Sequence, residues 1–338
     1  MTEFLGEYGL FLAKVVTVVA ALGVLVALVA ASRRKGSDGP GLKVDNLNDR
    51  YRRMAGKVRK AILPKEAFKT WRKEEKAAAK ARAAEDRPRT FVIDFRGDLR
   101  ASAVAGLREE VTAVLSTARE GDEVLVRLEN FGGLVHEHGL GASQLLRLRE
   151  QGIPLTVAVD KAAASGGYMM ACVANRIVAA PFAVIGSIGV LAQIPNVHRY
   201  LDERGVNVEQ IKAGRYKRTV TMFGENTEAD RAKLREELED VHGLFKGLIA
   251  HWRPGLDLDA VATGEHWYGE RALELGLVDE LGTSDDLLLA RSEARNLFQV
   301  SWQGRKTLAE RLTTLADSGS RGFADALWAR LSERRHSG

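Results

Sequence analysis

Ser165 stands in the run "DKAAASGGYMM", directly after the β-branched stretch "PLTVAVD" and before small and apolar residues that suit the start of a helix. A hydroxyl followed by Gly166 and Gly167 has the setting of a nucleophile. A helix start presents unpaired N–H groups, and glycine lets a reacting carbonyl approach the backbone closely. A second turn, "ENFGGLVH", places Gly132 and Gly133 after another β-branched run. If Ser165 attacks an acyl carbon, the Gly166 N–H and an N–H from the Gly132/Gly133 turn form an oxyanion hole. The same small-Ser-Gly-Gly pattern equally suits close packing of a helix on a strand, and the residues alone leave both readings open.

A nucleophilic serine needs a base. The histidines that follow, His198 beside Arg199 and His242 in a helical pattern, sit in no distinguishing setting. Lysine is the other partner that serine uses, and "AGRYKRTVTMFGE" offers Lys217 in a segment running from glycine and tyrosine into β-branched residues. An ordinary lysine titrates near 10.4, so a lysine base must be lowered by about 3 units, a cost of about 4 kcal/mol. Burial and nearby cations such as Arg215 and Arg218 act in that direction, and the hydroxyl of Ser187 in "GSIGV" can orient an amine. Lys217 among Lys212, Arg215 and Arg218 also reads as a solvated basic face. His136 and His138 flank Glu137 at a spacing that suits no zinc pair. Cys172, the single cysteine, sits in "YMMACVA" and reads as core. No metal and no cofactor is expected.

The elements that must position these residues are short β-branched runs at 90–97, 123–130, 154–160, 175–181 and 206–214, separated by helical segments such as "SAVAGLREEVTAVLSTARE". Strand and helix alternating at this spacing predict an α/β domain built of βαβ units on a mainly parallel sheet. Further on, Leu234, Leu238, Val241, Leu244, Phe245, Leu248, Ile249 and Trp252 recur at helical spacing. Thr227 with Asp230 gives a start signal and Pro254 a stop, which predicts a long core-facing helix. Two more helices are expected after residue 303.

Charge is unevenly spread. Residues 33–89 carry nineteen Lys and Arg against eight Asp and Glu, an excess larger than the +5 of all 338 residues. That basic segment follows Leu10–Ala31, 22 residues interrupted only by Lys14. As a helix the run would extend about 33 Å, enough for a hydrocarbon core of about 30 Å. It is too long for the apolar part of a signal peptide, so a retained anchor is expected, with the basic stalk attracted to anionic lipid. The stalk lacks stacking aromatics and a reading motif, so no nucleic-acid partner is expected. By the positive-inside tendency, Arg33, Arg34 and Lys35 would keep the bulk of the chain in the cytoplasm.

The segments "DKAAASGGYMMACVANRIVAAPFAVIGSIGV", "AGRYKRTVTMFGENTEADR" and "ATGEHWYGERALELGLVDELGTSDD" resemble the signal peptide peptidase A family of serine proteases. The anchor, basic stalk and single catalytic domain are most similar to its SohB branch, and the likeness covers nearly all of residues 1–300. It implies a ClpP/crotonase-like fold of repeated ββα units. It divides the chain into an anchor (1–35), a stalk (36–88), a catalytic domain (89–303) and a helical tail (304–338). It also implies a Ser/Lys dyad in which Ser165 matches the nucleophile, Lys217 the general base and Ser187 the hydroxyl that positions the lysine. Gly132, Gly133 and Gly166 then supply the oxyanion site, although the family's Ser-Pro-Gly-Gly is Asn130-Phe131-Gly132-Gly133 here. The expected partners are extended apolar peptides or unfolded protein, membrane lipid and further copies of the chain. In some relatives the dyad comes from adjacent subunits, and relatives usually act on the outer face of the bacterial inner membrane; the basic stalk argues for the cytoplasmic face, and the expectation follows the family to the periplasmic side. Two other readings stay open: an acyl-CoA enzyme on the related crotonase fold, with Glu129 and Glu137 as its acids, and an inactive membrane scaffold.

Overall fold

The computed structural model describes residues 9–19 and 41–304. Residues 9–19 form a helix, α1, with exposed side chains. Residues 20–31 of the expected anchor and the expected helices of the tail lie outside the described residues. Among the described residues, no helix is long and apolar enough to cross a membrane.

Leu42–Trp302 is one compact unit. It opens with β1 (Gly41–Asn46), α2 (Leu47–Ile62) and α3 (Lys65–Ala84). Next, β2 (Arg89–Arg96), α4 (Val104–Leu115), β3 (Glu123–Glu129), α5 (Val135–Glu150) and β4 (Leu155–Val159) alternate strictly. The chain continues through β5 (Ala162–Ala164), α6 (Gly166–Ala171), β6 (Arg176–Ala179), β7 (Val184–Gly186) and the short α7 (His198–Asp202). The last stretch comprises α8 (Glu228–Trp252), α9 (Leu258–Val261), β8 (His266–Tyr268), α10 (Gly269–Glu274), β9 (Glu280–Leu281), α11 (Ser284–Ala294) and β10 (Asn296–Gln303).

Seven strands form the main sheet in the order β1-β10-β2-β3-β4-β6-β9, and a small second sheet has the order β5-β7-β8. The pairs from β10 across to β9 are parallel. A parallel sheet is covered on both faces, and the period of two decides which side chain goes where. Phe91, Ile93 and Phe95 of β2 enter the larger core with Leu107 and Val111 of α4 and Leu145 of α5. Val92, between them, enters the smaller core with Leu125, Leu47 of α2 and Leu288 of α11. Each such fully buried aliphatic side chain contributes about 1.5–3 kcal/mol.

Three expectations change. Residues 41–46, expected in the stalk, pair beside β10 in the main sheet. Asn48 ties them down: its amide donates to the Ser292 and Arg295 carbonyls and its oxygen accepts from Leu297 N–H at 2.7 Å. Residues 206–214, expected as a strand, pair with no strand, and their side chains are exposed. The alternation of Val206 and Val208 meets no sheet edge among the described residues, so it carries no ladder there. Finally, α8 begins at the expected Thr227–Asp230 capping box, but only its second half faces the core, through Phe245 and Ile249, while Leu244 is 76% exposed.

Glu110 of α4 is enclosed under β10, where it accepts Trp302 N–H at 2.7 Å. Burial pushes its carboxyl up to about 7; the Trp302 bond opposes this and Asp94 adds to it. The folded chain therefore favours the protonated acid. This contribution is full below the unfolded value near 4.5 and is lost as pH rises through about 7. Glu110→Gln should lose less of its urea midpoint than the parent between pH 5 and pH 8. Equal slopes for the two proteins would show that Glu110 is not the group responsible.

Candidate active site

Ser165 follows the last residue of β5, Ala164, whose register partner in β7 is Gly186. Its N–H donates to the Gly186 oxygen at 2.7 Å, and its own carbonyl accepts Met169 N–H at 3.0 Å in the first turn of α6. Strand and helix thus share one residue as their corner, and Ser165 takes φ +51°, ψ −120°. A residue with a side chain is strained there by about 1–3 kcal/mol. Ser165 lines a shallow pocket with Gly133, Gly166, Val190 and Phe245.

Continuing the register by one residue sets Ser187 beside Ser165, and Ser187 repeats the anomaly with φ +52°. Its N–H donates to the Glu265 oxygen at 2.6 Å, while Gly186 packs so tightly on Trp267 that a methyl group would lie 2.9 Å from the ring. Glu265–Trp267 therefore pin Ser187. A backbone carbonyl leaves no trace in residue type, so this contact is not legible in the sequence.

The first glycine turn reaches the same corner. A methyl group on Gly132, at φ +90°, would lie 2.7 Å from Ser165 Cβ and 2.9 Å from Gly166 N. On Gly133 it would lie 2.2 Å from the Leu99 oxygen. Only glycine fits either position. Gly132 N–H donates to Asn130 Oδ1 at 2.9 Å, so of the two glycines expected to offer a donor, Gly132 uses its own inside the turn. Among the described residues, neither Gly133 N–H nor Gly166 N–H donates to a protein acceptor. Asn130 is fully buried and joins the two turns: its N–H donates to the Ala162 oxygen at 2.8 Å and its carbonyl accepts Ala164 N–H at 3.0 Å. His138 of α5 is also fully buried beside it. Sequence reading missed both as site residues, although His138 falls in register with core-facing Gly141, Ala142 and Leu145, which separates it from exposed His136.

Lys217 is not brought to this corner within the single chain. It lies in the irregular segment between α7 and α8, is exposed, and is not among the residues lining the pocket beside Ser165. Its neighbour Tyr216 is flanked by Arg215 and by Lys233, whose Nζ lies 5.0 Å from the ring centre. The rival acids do not converge on the corner either: Glu129 binds Lys161 Nζ at 3.0 Å, and neither Glu129 nor Glu137 lines that pocket. Cys172 is buried, which pushes its thiol up to about 12 and leaves it inert as a nucleophile.

A family model described as "Peptidase family S49 N-terminal" matches residues 3–145, and one described as "Peptidase family S49" matches residues 147–298. The chain is 44% identical over 335 residues to a "Probable protease SohB" of Haemophilus influenzae, covering 95% of both chains. It is 46% identical over 313 residues to a "Probable protease SohB" of Buchnera aphidicola, covering 91% of this chain and 92% of that one.

The contact between Gly132 and Ser165 predicts that Gly132→Ala costs more than its backbone angle alone. Gly152 is the comparison: it has φ +72° with nothing within 4 Å of an added methyl, so Gly152→Ala should cost about 1–2 kcal/mol in urea denaturation. Gly132→Ala should cost clearly more and abolish labelling of Ser165 by a fluorophosphonate. Equal costs for the two would refute the contact.

Proposed function

The chain belongs to peptidase family S49, and from that premise we propose that it is a membrane-anchored serine endopeptidase that cuts extended apolar peptides with a Ser165/Lys217 dyad completed between protomers. The observation that carries this reading is the corner itself: a half-buried hydroxyl on a strained strand-to-helix bend, with two N–H groups beside it that no acceptor among the described residues uses. The unaligned lysine supports assembly. Lys217 is exposed in one chain, in a segment whose Ile211 is 95% exposed, so the surface that would bury it belongs to another copy.

In this reaction the uncharged Nζ of Lys217 takes the proton from Ser165 Oγ as Oγ attacks the scissile carbonyl carbon. The carbonyl π pair moves onto oxygen, and Gly133 N–H and Gly166 N–H stabilise that charge. Collapse expels the amine, which takes the proton back from Lys217, and water then hydrolyses the acyl ester by the same route. Ser187, next in register to Ser165, holds the lysine amine. The preference for apolar peptide draws on the rim of the corner, where Leu99 and Phe131 are 68% and 65% exposed. The anchor is Leu10–Ala31, with the catalytic domain on the outer face of the bacterial inner membrane. The ClpP/crotonase-like arrangement is the fold we assign, in keeping with β5 leaving the end of β4 to start a second sheet.

Casein turnover by the full-length protein in detergent should fall at least about a thousandfold in Ser165→Ala and in Lys217→Ala, the scale expected when one member of a catalytic unit is lost. Co-assembled mixtures of the two inactive variants should regain turnover, since some interfaces then pair an intact serine with an intact lysine. Unchanged turnover in either variant defeats the dyad, and mixtures that stay inactive defeat its completion between protomers.

A further inference from the structure

Asn130 stands where the family's turn has serine, and its side chain is enclosed completely. The bonds around it fix which way its amide faces. Gly132 N–H points at Oδ1 from 2.9 Å, so that atom is the oxygen, and Nδ2 then faces Met170 Sδ at 3.5 Å, a weak acceptor. A third group reaches the same oxygen: His138 Nε2 lies 3.2 Å from Asn130 Oδ1. Nε2 donates to that oxygen when it is the nitrogen that carries the ring hydrogen. The other ring nitrogen, Nδ1, lies 3.0 Å from the Leu134 oxygen at the start of α5, also an acceptor, so a neutral ring donates to one of the two oxygens.

The imidazole also touches the second turn. A methyl group on Gly166 would lie 2.4 Å from His138 Cγ. One buried ring therefore spans the seam between Gly132/Gly133 and Gly166, bonded to the amide that orders the first turn and packed on the backbone that opens the second.

We infer that His138 is a positioning residue for the oxyanion site: by donating Nε2–H to Asn130 Oδ1, it locks the amide that holds Gly132 N–H and so sets where the Gly133 and Gly166 donors point. Asn130 and His138 act as one unit, a buried amide and ring replacing the rigid serine-proline start of the family's turn. The inference rests on the serine-protease reading of the same corner. It concerns transition-state binding alone, because an oxyanion exists only after attack. Losing the lock should therefore lower kcat and leave KM nearly unchanged.

Two amide substitutions separate this role from mere filling of the core. In His138→Gln the side-chain amide falls near the Nε2 position and can still donate to Asn130; in His138→Asn it falls near Nδ1 and reaches only Leu134. Both bury an amide in the same space. With the full-length enzyme and an apolar peptide substrate, normalised to the folded fraction, His138→Gln should keep kcat within about threefold. His138→Asn should lose about tenfold or more with KM within about twofold, the scale of a misplaced oxyanion donor. Asn130→Ala should lose a similar factor, and adding His138→Asn to it should cost nothing further, since coupled residues are not additive. Equal kcat for the Gln and Asn variants, or losses that multiply in the double variant, would overturn the inference. Failure of the protease reading itself would look different: the parent protein would neither turn over peptide nor take a fluorophosphonate at Ser165.

Discussion

A serine keeps a left-handed backbone only where its surroundings leave it no other path. At Ser165 those surroundings are two hydrogen bonds, one to Gly186 of the neighbouring strand and one from Met169 in the following helix, together with a glycine whose missing side chain makes room for the serine's own. A cost of about 1–3 kcal/mol is offset by what lies behind the bend. Tyr168, Met170 and Ile185 are all fully buried, and they fasten α6 and β7 to the larger core. The strained corner is thus the exposed end of a rigid wedge. Its companion Ser187, strained in the same sense one strand away, extends that rigidity across the second sheet.

Around this wedge the molecule divides between fixed and unfinished parts. The proposed oxyanion side is shaped chiefly by β3, β5, α5 and α6, which pack tightly through glycines at Gly132, Gly166 and Gly167; a methyl on the last would meet the Asn130 oxygen at 2.1 Å. Lys217, the proposed base, lies in a segment with little regular structure and many exposed apolar side chains. Preorganised donors with a base brought by another copy would make assembly itself the switch for activity.

The alternation of β-branched runs and amphipathic stretches made β2, β3, β4 and β6 legible, because both faces of that sheet are buried and the sequence must be apolar there. The same reasoning failed for 206–214, where alternation has no ladder to join, and for 41–46, where an exposed edge strand carries no apolar signature. Strands of three residues such as β5 and β7 cannot be read from a pattern at all. Within the candidate site, the bend at Ser165 and its glycines was legible because a tight bend restricts residue type. The Asn130–His138 bond was not, since it joins residues eight apart that meet only once β3 and α5 have packed.

In the proposed reaction Ser165 holds the attacked acyl carbon against a cradle of two backbone donors. The most direct measurement is a crystal structure of the protein after reaction with a fluorophosphonate, whose tetrahedral phosphorus mimics the attacked carbonyl. Phosphorus should be bonded to Ser165 Oγ, with one phosphoryl oxygen within hydrogen-bond distance of both Gly133 N and Gly166 N. A phosphoryl oxygen turned away from both donors, or an adduct on any other residue, would contradict it.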